Sequence, residues 1–211
     1  VGIVTLPFSM EGKVRMENAK MGFEKLHDIV DTIIVIPNDK LLQIVPEASI
    51  NTAFKICDEI LVNAVKGTTE LITKPGLVNL DFADVRAVMQ NGGPALIGIG
   101  ASSSENRGIE SVERALNNPL LNADIDGAKG ALINIVGGPS ITIREANEIV
   151  EYVASRLSSD AKIVWGAQID RSLKEIVKTL IVITGVSFDL EEQYEIKPKK
   201  KIETMLGIEF I

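Results

Sequence analysis

The stretch SINTAFKICDEILVNAVKGTTELIT, residues 49–73, decides the fold of this chain. Its apolar residues recur at the period of a helix; they are Ile50, Ala53, Phe54, Cys57, Ile60, Leu61, Ala64 and Val65. Two dozen residues that rise about 1.5 Å each give a helix roughly 36 Å long. That is long for a connection inside one domain, and it predicts a spine that joins two lobes.

Strand and helix patterns alternate on both sides of this segment, which is typical of an α/β or α+β protein. The predicted strands are Val1 to Pro7, Thr32 to Ile36, Ala95 to Gly100, Gly130 to Val136, Lys162 to Ala167 and Thr179 to Val186. The other predicted helices are Gly12 to Leu26, Phe82 to Gln90, Asn106 to Leu116, one opening at Thr142 and a short one near Ser172 to Lys178. The first strand is apolar throughout, like a central parallel strand, so we expect the chain to be the later part of a longer α/β protein. Residues 188–211 are mixed in charge and are predicted to form at most an extra hairpin.

The composition is that of an ordinary globular protein, with 45% hydrophobic and 24% charged residues. A net charge of −7 argues against broad binding to nucleic acid or to anionic membranes. The one basic run, Lys197 to Lys201, is more typical of a solvated turn than of a binding patch. A single cysteine permits no internal disulfide and suits a reducing cytoplasm. No apolar run reaches the ~18 residues of a membrane span.

Two aspartates three residues apart follow the turn that ends the long helix. The segment Gly76 to Asp84 reads GLVNLDFAD, so Asp81 and Asp84 fall at the predicted start of a helix. Positions i and i+3 lie on one face of a helix, and both carboxylates would project from the same helix end. Asn79 adds a third polar group inside an otherwise apolar segment. Such a cluster suits the orientation of a water molecule or of a metal-bound phosphate.

From spacing alone, a structural cap is the favoured interpretation of the pair. Asp-x-x-Asp at a helix start is a capping arrangement, and the helix dipole stabilises an acidic residue there by about 0.3–1 kcal/mol. The same dipole favours the ionised carboxylate and makes it a weak base. Phosphoryl transfer tolerates a weak base, because it relies on positioning and charge stabilisation. A catalytic role would therefore be to orient and polarise water.

The remaining candidate residues are weaker. Cys57 lies on the apolar face of the long helix, where packing is favoured over a nucleophilic role. His27, the only histidine, is predicted to have a surface or capping role, and Gly137 to Pro139 is predicted to be a tight turn. Asp58 could point into a cleft, although a solvated helix face is favoured. The sequence has neither a metal-binding cluster of His and Cys nor a Walker-type phosphate loop.

Six motifs follow one another along the chain. They are TLPFxxEGxxRM at Thr5 to Met16, IPNDKL at Ile36 to Leu41, GLxNxDFADV at Gly76 to Val85, DIDGA at Asp124 to Ala128, WGA at Trp165 to Ala167 and VITG at Val182 to Gly185. Together these residues resemble FtsZ, the tubulin-like cell-division GTPase. The resemblance covers nearly everything from Val1 to about Val186, and its Ile- and Val-rich character looks more archaeal than bacterial.

The resemblance implies an architecture. FtsZ has a Rossmann-like GTP-binding domain, a long central helix and a C-terminal α+β domain whose helices pack on a mostly mixed sheet. Residues 1–48 would be a remnant of the GTP-binding domain, and residues 49–73 would be the central helix. Residues 74–187 would be the C-terminal activation domain with its catalytic loop, and residues 188–211 would be a C-terminal extension.

The resemblance also implies the site residues. Asp81 and Asp84 would polarise the attacking water, with Asn79 assisting. Phe54 would stack on guanine, and Asp58 would accept hydrogen bonds from the N1 and N2 hydrogens of guanine. Subunits would stack head to tail as a homopolymer, so that the catalytic loop of one subunit completes the GTP site of the next.

The glycine-rich phosphate loop of the family is not found in these 211 residues. We expect this loop, together with acidic and arginine contacts to the nucleotide, to precede Val1. GTP or GDP and Mg²⁺ would then bind only with the missing N-terminal GTP-binding domain, and the chain alone would be inactive. No resident metal, no nucleic acid and no direct membrane insertion is expected, and the protein would act in the cytoplasm at the mid-cell division site.

Two alternatives stay open. One is a non-catalytic module that docks on, or caps, the end of a tubulin-like filament. The other is a divergent tubulin-like protein with a role in cell shape. A small-molecule enzyme with its own closed site is less favoured, because no complete catalytic constellation is visible.

Overall fold

The computed structural model describes residues 1–44, 47, 49–121, 125 and 128–186. The strands within them are β1 (Gly2–Leu6), β2 (Thr32–Pro37), β3 (Gly93–Ser102), β4 (Gly130–Gly137), β5 (Lys162–Ile169) and β6 (Val177–Thr184). The α-helices are α1 (Lys13–His27), α2 (Asn38–Ile44), α3 (Ile50–Thr73), α4 (Phe82–Met89), α5 (Arg107–Leu116) and α6 (Ile143–Ala154). Short 3-10 helices occur at Ser9–Glu11, Pro119–Leu121 and Arg171–Leu173.

All six strands join one mixed sheet in the order β1-β2-β3-β6-β4-β5. The pairs β1–β2, β2–β3 and β4–β5 are parallel, whereas β6 is antiparallel to both of its neighbours. The β2–β3 ladder is short, with Thr32 to Ile34 opposite Gly93 to Ala95. The mixed sheet with packed helices agrees with the fold class that the sequence predicts.

Helices cover both faces of the sheet. On one face α2, α3 and α4 enclose a core that includes Ile34, Ile97 and Leu132. On the other face α5 and α6 pack on alternate residues of the same strands, such as Leu96 and Ile133. Helix α1 lies on this second face, against β2. Because most strand residues are buried on both faces, the strands appear in the sequence as nearly continuous apolar runs.

Helix α3 is held at its start and along its length by side chains. The Ser49 hydroxyl oxygen accepts a 3.2 Å hydrogen bond from the Thr52 N–H, which caps the helix. In its second half, the Asn134 side-chain amide of β4 donates to the Gly67 carbonyl at 2.9 Å. A Cβ at Gly67 would lie 2.5 Å from the end of the Leu180 side chain, so α3 lies directly against β6 at this point. The long helix is confirmed and packs across one continuous sheet. That it joins two separate lobes stays a prediction.

Three features differ from the sequence-based expectations. Helix α2 was not predicted, because Pro37 and Asn38 suggest a stop, whereas the helix begins directly after the proline. The short helix expected near Ser172 to Lys178 is wrong: a single 3-10 turn, Arg171–Leu173, precedes β6, which begins at Val177. A turn of this kind fits because both ends of the segment are tied to strands. The possible hairpin at residues 188–211, the basic run, and Asp124, Asp126 and Gly127 lie outside the described residues.

Candidate functional site

Asp81 and Asp84 cap helix α4 reciprocally. Asp81 is the N-cap, and its Oδ1 accepts a 2.9 Å hydrogen bond from the Asp84 N–H. In return, Asp84 Oδ2 accepts a 3.1 Å bond from the Asp81 N–H. Both side chains remain exposed, and each has a second carboxylate oxygen with no hydrogen bond among the described residues. The cap is therefore present, and it leaves one oxygen of each exposed aspartate available to a ligand.

The segment before α4, Gly76 to Leu80, is anchored on the edge strand β5. The N–H of Leu77 donates to the Ala167 carbonyl at 2.7 Å, and Val78 forms a bridge with the same residue. Asn79 Oδ1 accepts a 2.6 Å bond from the Gly76 N–H, so this oxygen holds the turn. Asn79 is thus close to the two aspartates in sequence, but its carbonyl oxygen is already engaged. We refer to residues 76–84 as the acidic loop.

Two large apolar side chains flank the carboxylates. Leu77 is 55% exposed and Phe82 is 66% exposed. Contiguous exposed apolar surface marks contact surfaces on soluble proteins, and these two side chains would contribute to such a surface. The acidic loop therefore combines available carboxylate oxygens with an apolar rim.

A second candidate site is a cavity of about 590 Å³ beside the first half of α3. Phe54 and Asp58 both line it, so the structure brings together the two residues expected to bind guanine. Phe54 makes an edge-to-face contact with Phe8, with ring centroids 5.3 Å apart, and remains 42% exposed. The other lining residues are Thr5, Pro7, Glu11, Arg15, Asn18, Ala19, Asn38, Cys57 and Leu61.

Sequence reasoning did not single out several polar residues in this cavity. Glu11 accepts a hydrogen bond from the Phe8 N–H at 2.9 Å and forms an ion pair with Arg15, with Nε and Oε2 3.2 Å apart, which places an acid and an arginine on the wall. Acidic and arginine candidates are therefore available within the chain, although we expected such contacts to precede Val1. Asn38 is 6% exposed, and its Oδ1 has no hydrogen-bond partner among the described residues. An unpaired buried acceptor on a cavity wall suits a ligand that donates a hydrogen bond.

The thiol of Cys57 borders the same cavity. Burial raises its pKa, and the neighbouring Asp58 carboxylate raises it further. The thiolate is the reactive form of cysteine, so these surroundings disfavour nucleophilic chemistry. The interpretation of Cys57 as a packing residue agrees with its 4% exposure.

The cavity and the acidic loop lie at different ends of α3. From Asp58 to Thr73, the last residue of the helix, the axis rises about 22 Å. The cavity borders β1, at one edge of the sheet, whereas the acidic loop is anchored on β5, at the other edge. None of Asn79, Asp81 and Asp84 lines the cavity. One copy of the chain does not bring the two sets of residues together.

Neither a metal-ligand cluster nor a membrane-spanning helix is present in the described part of the chain. No group of three or more His, Cys, Asp or Glu side chains there is arranged to hold a metal ion. Over the same residues, no helix combines the length and the apolar character needed to cross a bilayer.

Comparison with known proteins identifies the family. A model described as "FtsZ family, C-terminal domain" matches residues 93–187, and one described as "Tubulin/FtsZ family, GTPase domain" matches residues 1–46. Cell division protein FtsZ 1 of Methanocaldococcus jannaschii is 56% identical over 203 residues, covering 96% of this chain and 56% of that protein. Cell division protein FtsZ 1 of Thermococcus kodakarensis is 57% identical over 187 residues, covering 89% of this chain and 50% of that protein.

A solved structure agrees with these matches. The structure titled "FtsZ dimer, empty (M. jannaschii)" aligns with a TM-score of 0.85 at 59% identity, over 87% of this chain and 53% of that one. The chain spans about half the length of the curated relatives it matches. The archaeal relatives confirm the resemblance to FtsZ that the six sequence motifs indicate. This chain belongs to the FtsZ family.

Proposed function

We propose that this chain is part of a GTP-hydrolysing, filament-forming protein that acts in the cytoplasm at the cell-division site. In this proposal, residues 74–187 act as the activation domain and the acidic loop completes the GTP site of a neighbouring subunit. One observation carries the proposal: the cavity and the acidic loop lie at different ends of α3. A head-to-tail stack of subunits would bring the loop of one copy over the cavity of the next.

The cavity supplies groups that suit a guanine nucleotide. Asp58 would accept hydrogen bonds from N1–H and N2–H of guanine, and Phe54 would stack on the base. The unpaired Oδ1 of Asn38 offers one further acceptor to the base or the sugar. Arg15, whose side chain is 72% exposed, would present a cation toward the sugar and phosphates. The phosphates and Mg²⁺ would be held by phosphate-binding loops that are not among these 211 residues.

The acidic loop supplies groups that suit an attacking water. The free oxygens of Asp81 and Asp84 would accept hydrogen bonds from that water and orient it toward the terminal phosphate of the neighbour's GTP. The reciprocal cap fixes both carboxylates relative to α4, so little side-chain entropy remains to be lost when the water binds. Asn79 would assist by keeping the turn in place.

Apolar contacts would support the stacking of subunits. Leu77 and Phe82 flank the acidic loop at one end of the molecule. Met10 and Val14, next in sequence to the cavity residues Glu11 and Arg15, are 68% and 72% exposed. Burying such side chains against each other would offset part of the entropy lost on association.

One observation favours a second candidate function. Both aspartates serve their own helix as a capping box, which is sufficient reason for their presence without any chemistry. On that basis the chain would dock on a filament end without contributing to hydrolysis. Phosphate release with an acceptor that cannot activate its neighbour distinguishes the two functions.

The test uses an acceptor that can bind GTP but cannot activate its neighbour. FtsZ 1 of M. jannaschii, with the two aspartates of its own acidic loop changed to alanine, is mixed with this chain, GTP and Mg²⁺, and phosphate release is measured. We expect turnover to appear with the unaltered chain and to be absent with Asp81→Ala or Asp84→Ala. The chain by itself should release no phosphate.

Equal turnover with the alanine variants would reject the catalytic role of the aspartates. Binding of the chain to the acceptor without any turnover would support the docking module instead. Turnover by the chain alone would reject the expectation that the phosphates are held by loops outside these 211 residues.

A further inference from the structure

The acidic loop is anchored on β5 by one residue of that strand. The Ala167 carbonyl accepts hydrogen bonds from the Leu77 N–H at 2.7 Å and from the Val78 N–H at 3.2 Å. In return, the Ala167 N–H donates to the Val78 carbonyl at 3.2 Å. Asp81 and Asp84 follow this anchor by only three and six positions, so the place of their carboxylates depends on how firmly the anchor is held.

Gln168, the next residue of β5, holds the end of α3. Its side-chain Nε2 donates a 3.0 Å hydrogen bond to the Glu70 carbonyl, in the last turn of the helix. The same carbonyl accepts a 3.0 Å bond from the N–H of Lys74, the C-cap residue. Gln168 is 7% exposed, so little water competes for its amide. Consecutive residues of one strand therefore hold the start of the acidic loop and the end of α3.

The chain between these two contacts is short and tightly packed. Pro75, with its fixed φ, and Gly76 are the two residues that connect the C-cap of α3 to the first hydrogen bond of the loop. A Cβ on Gly76 would lie 2.4 Å from the Ala167 carbonyl oxygen and 3.2 Å from Gln168 Cγ, so glycine permits this close approach. A displacement of the helix end would be transmitted to the loop, because the connection has little freedom to absorb it.

Close packing joins the same three elements. A Cβ on Gly166 would lie 2.8 Å from the Leu71 side chain of α3 and 3.3 Å from the Val78 carbonyl oxygen of the loop. Val78 packs with the core beneath α5 and α6, whereas Leu80 packs with the core beneath α3. The loop thus contacts both cores at β5, next to the last turn of α3.

An ion pair adds to the hold on this last turn. Lys74 Nζ lies 2.6 Å from Glu70 Oε1, and the Glu70 side chain is only 17% exposed. The end of a helix frays readily unless side chains or tertiary contacts hold it. Gln168 supplies a tertiary contact from a strand that is itself joined to β4 by eight residue pairs.

Resting on the proposed function, we propose that Gln168 is a positioning residue for the hydrolysis of the neighbour's GTP. Its amide holds the Glu70 carbonyl and so keeps the end of α3 in register with the anchor at Ala167. The two carboxylates of the acidic loop are thereby held in line with the attacking water. Gln168 itself contacts neither the water nor the phosphate. A misplacement of about 1 Å from the productive geometry costs on the order of 100-fold in rate, so a hold of this kind has a large effect on turnover.

The first test removes the amide and keeps the length of the side chain. Gln168→Met leaves the Glu70 carbonyl bonded to the Lys74 N–H, so no buried backbone group loses its last partner. Phosphate release is measured with the activation-deficient acceptor over a range of chain concentrations. We expect the maximal turnover to fall about tenfold, whereas the chain concentration that gives half of it changes by less than about twofold. Gln168→Lys restores a donor that the end of a helix favours, and it should recover most of the turnover.

Asn134→Leu is the matched control. Asn134 Nδ2 donates to the Gly67 carbonyl of the same helix at 2.9 Å, but from β4, which does not hold the acidic loop. This variant should keep its maximal turnover, because Gln168 still holds the end of α3. Unchanged maximal turnover in Gln168→Met, or an equal loss in Asn134→Leu, would overturn the proposal.

Amide hydrogen exchange separates this inference from the proposed function. The N–H groups of Leu77 and Val78 both donate to the anchor, so their exchange rates report how firmly it holds the loop. We expect both to exchange about fivefold faster or more in Gln168→Met, and at the unaltered rate in Asn134→Leu. Absence of turnover with the unaltered chain would reject the proposed function, and exchange would then decide alone. Faster exchange in Gln168→Met would support the hold on the loop, and unchanged exchange would overturn it.

Discussion

Substitutions at Asp81 can separate its structural role from its proposed chemical role. Asp81→Ala removes both the hydrogen-bond acceptor for the Asp84 N–H and the carboxylate. Asp81→Asn and Asp81→Ser remove the carboxylate but keep a side-chain oxygen that caps a helix well. All three variants lose the charge, but only Asp81→Ala also loses the cap.

The expected changes in stability follow from the geometry of the cap. Loss of the 2.9 Å acceptor should lower the free energy of unfolding by about 1 kcal/mol, within a usual range of roughly 0.5–2 kcal/mol. Asp81→Asn and Asp81→Ser should lose only the interaction of the charge with the helix dipole, about 0.3–1 kcal/mol and toward the low end because the side chain is exposed. For a protein of this size, 1 kcal/mol corresponds to a shift in Tm of about 2–4 °C.

Two measurements on each variant complete the test: thermal or urea unfolding, and phosphate release with the activation-deficient acceptor. We expect all three variants to lose turnover, whereas Asp81→Ala should lose the most stability. Thr142→Ala is the matched control, because Thr142 caps α6 by the same arrangement, accepting from the Glu145 N–H at 3.2 Å. It should lose stability while turnover is retained.

Full turnover with Asp81→Asn and Asp81→Ser would contradict the reasoning, since it would show that the cap alone matters. An unchanged Tm for Asp81→Ala would contradict the structural half, because the hydrogen bond would then contribute nothing measurable.

Two further predictions concern Arg107, at the start of α5, whose guanidinium pairs with Glu145 and Glu175. Arg107→Met leaves the largely buried Glu145 without its cation, whereas Glu175, 72% exposed, can be solvated; the free energy of unfolding in urea should fall by about 1–3 kcal/mol, with the double variant Arg107→Met/Glu145→Gln recovering part of the loss. The pKa of Glu145 is lowered, because burial, which opposes ionisation, is outweighed by hydrogen bonds from Arg107 and Thr142. A carboxyl whose pKa is lowered by folding stabilises the protein above its ordinary pKa, near 4.5, and this contribution disappears as the pH falls further through the folded-state pKa. The Tm should therefore fall between pH 5 and pH 3, and Glu145→Gln should make that fall shallower, as calorimetry across this range would show; an equally steep fall in Glu145→Gln would contradict the assignment.

Local signals in the sequence predicted most elements of the fold. The apolar period of α3 and the start of a helix at Thr142 are visible within a few positions of the sequence, and the structure confirms both helices. Helix α2 was missed because a proline followed by asparagine usually ends an element, whereas proline is also compatible with the position just before a helix. The segment before β6 has helix-forming residues, but its ends are tied to strands, and this tertiary constraint leaves one 3-10 turn.

The two candidate sites also differ in how far the sequence could predict them. The acidic pair is contiguous in sequence, so its cap could be predicted from spacing. The cavity is lined by residues of α1, the start of α2 and α3, which lie far apart in the sequence. No local sequence pattern could therefore predict that Asn38 and Asp58 line the same cavity. The contacts of Arg107 span 33 to 68 positions of sequence, so they become visible only when the chain is folded.

The short ladder between β2 and β3 has a mechanical consequence. Three residue pairs join these strands, whereas β3 and β6 share eight, and the middle residue on the β3 side is Pro94, which has no N–H to donate. The sheet therefore consists of two blocks of well-paired strands, β1–β2 and β3–β6–β4–β5. The short β2–β3 ladder is the hinge between them. Amide protons along this hinge should exchange with solvent sooner than those of either block. Torsion between the blocks would be resisted mainly by the helix that crosses them, not by the strands.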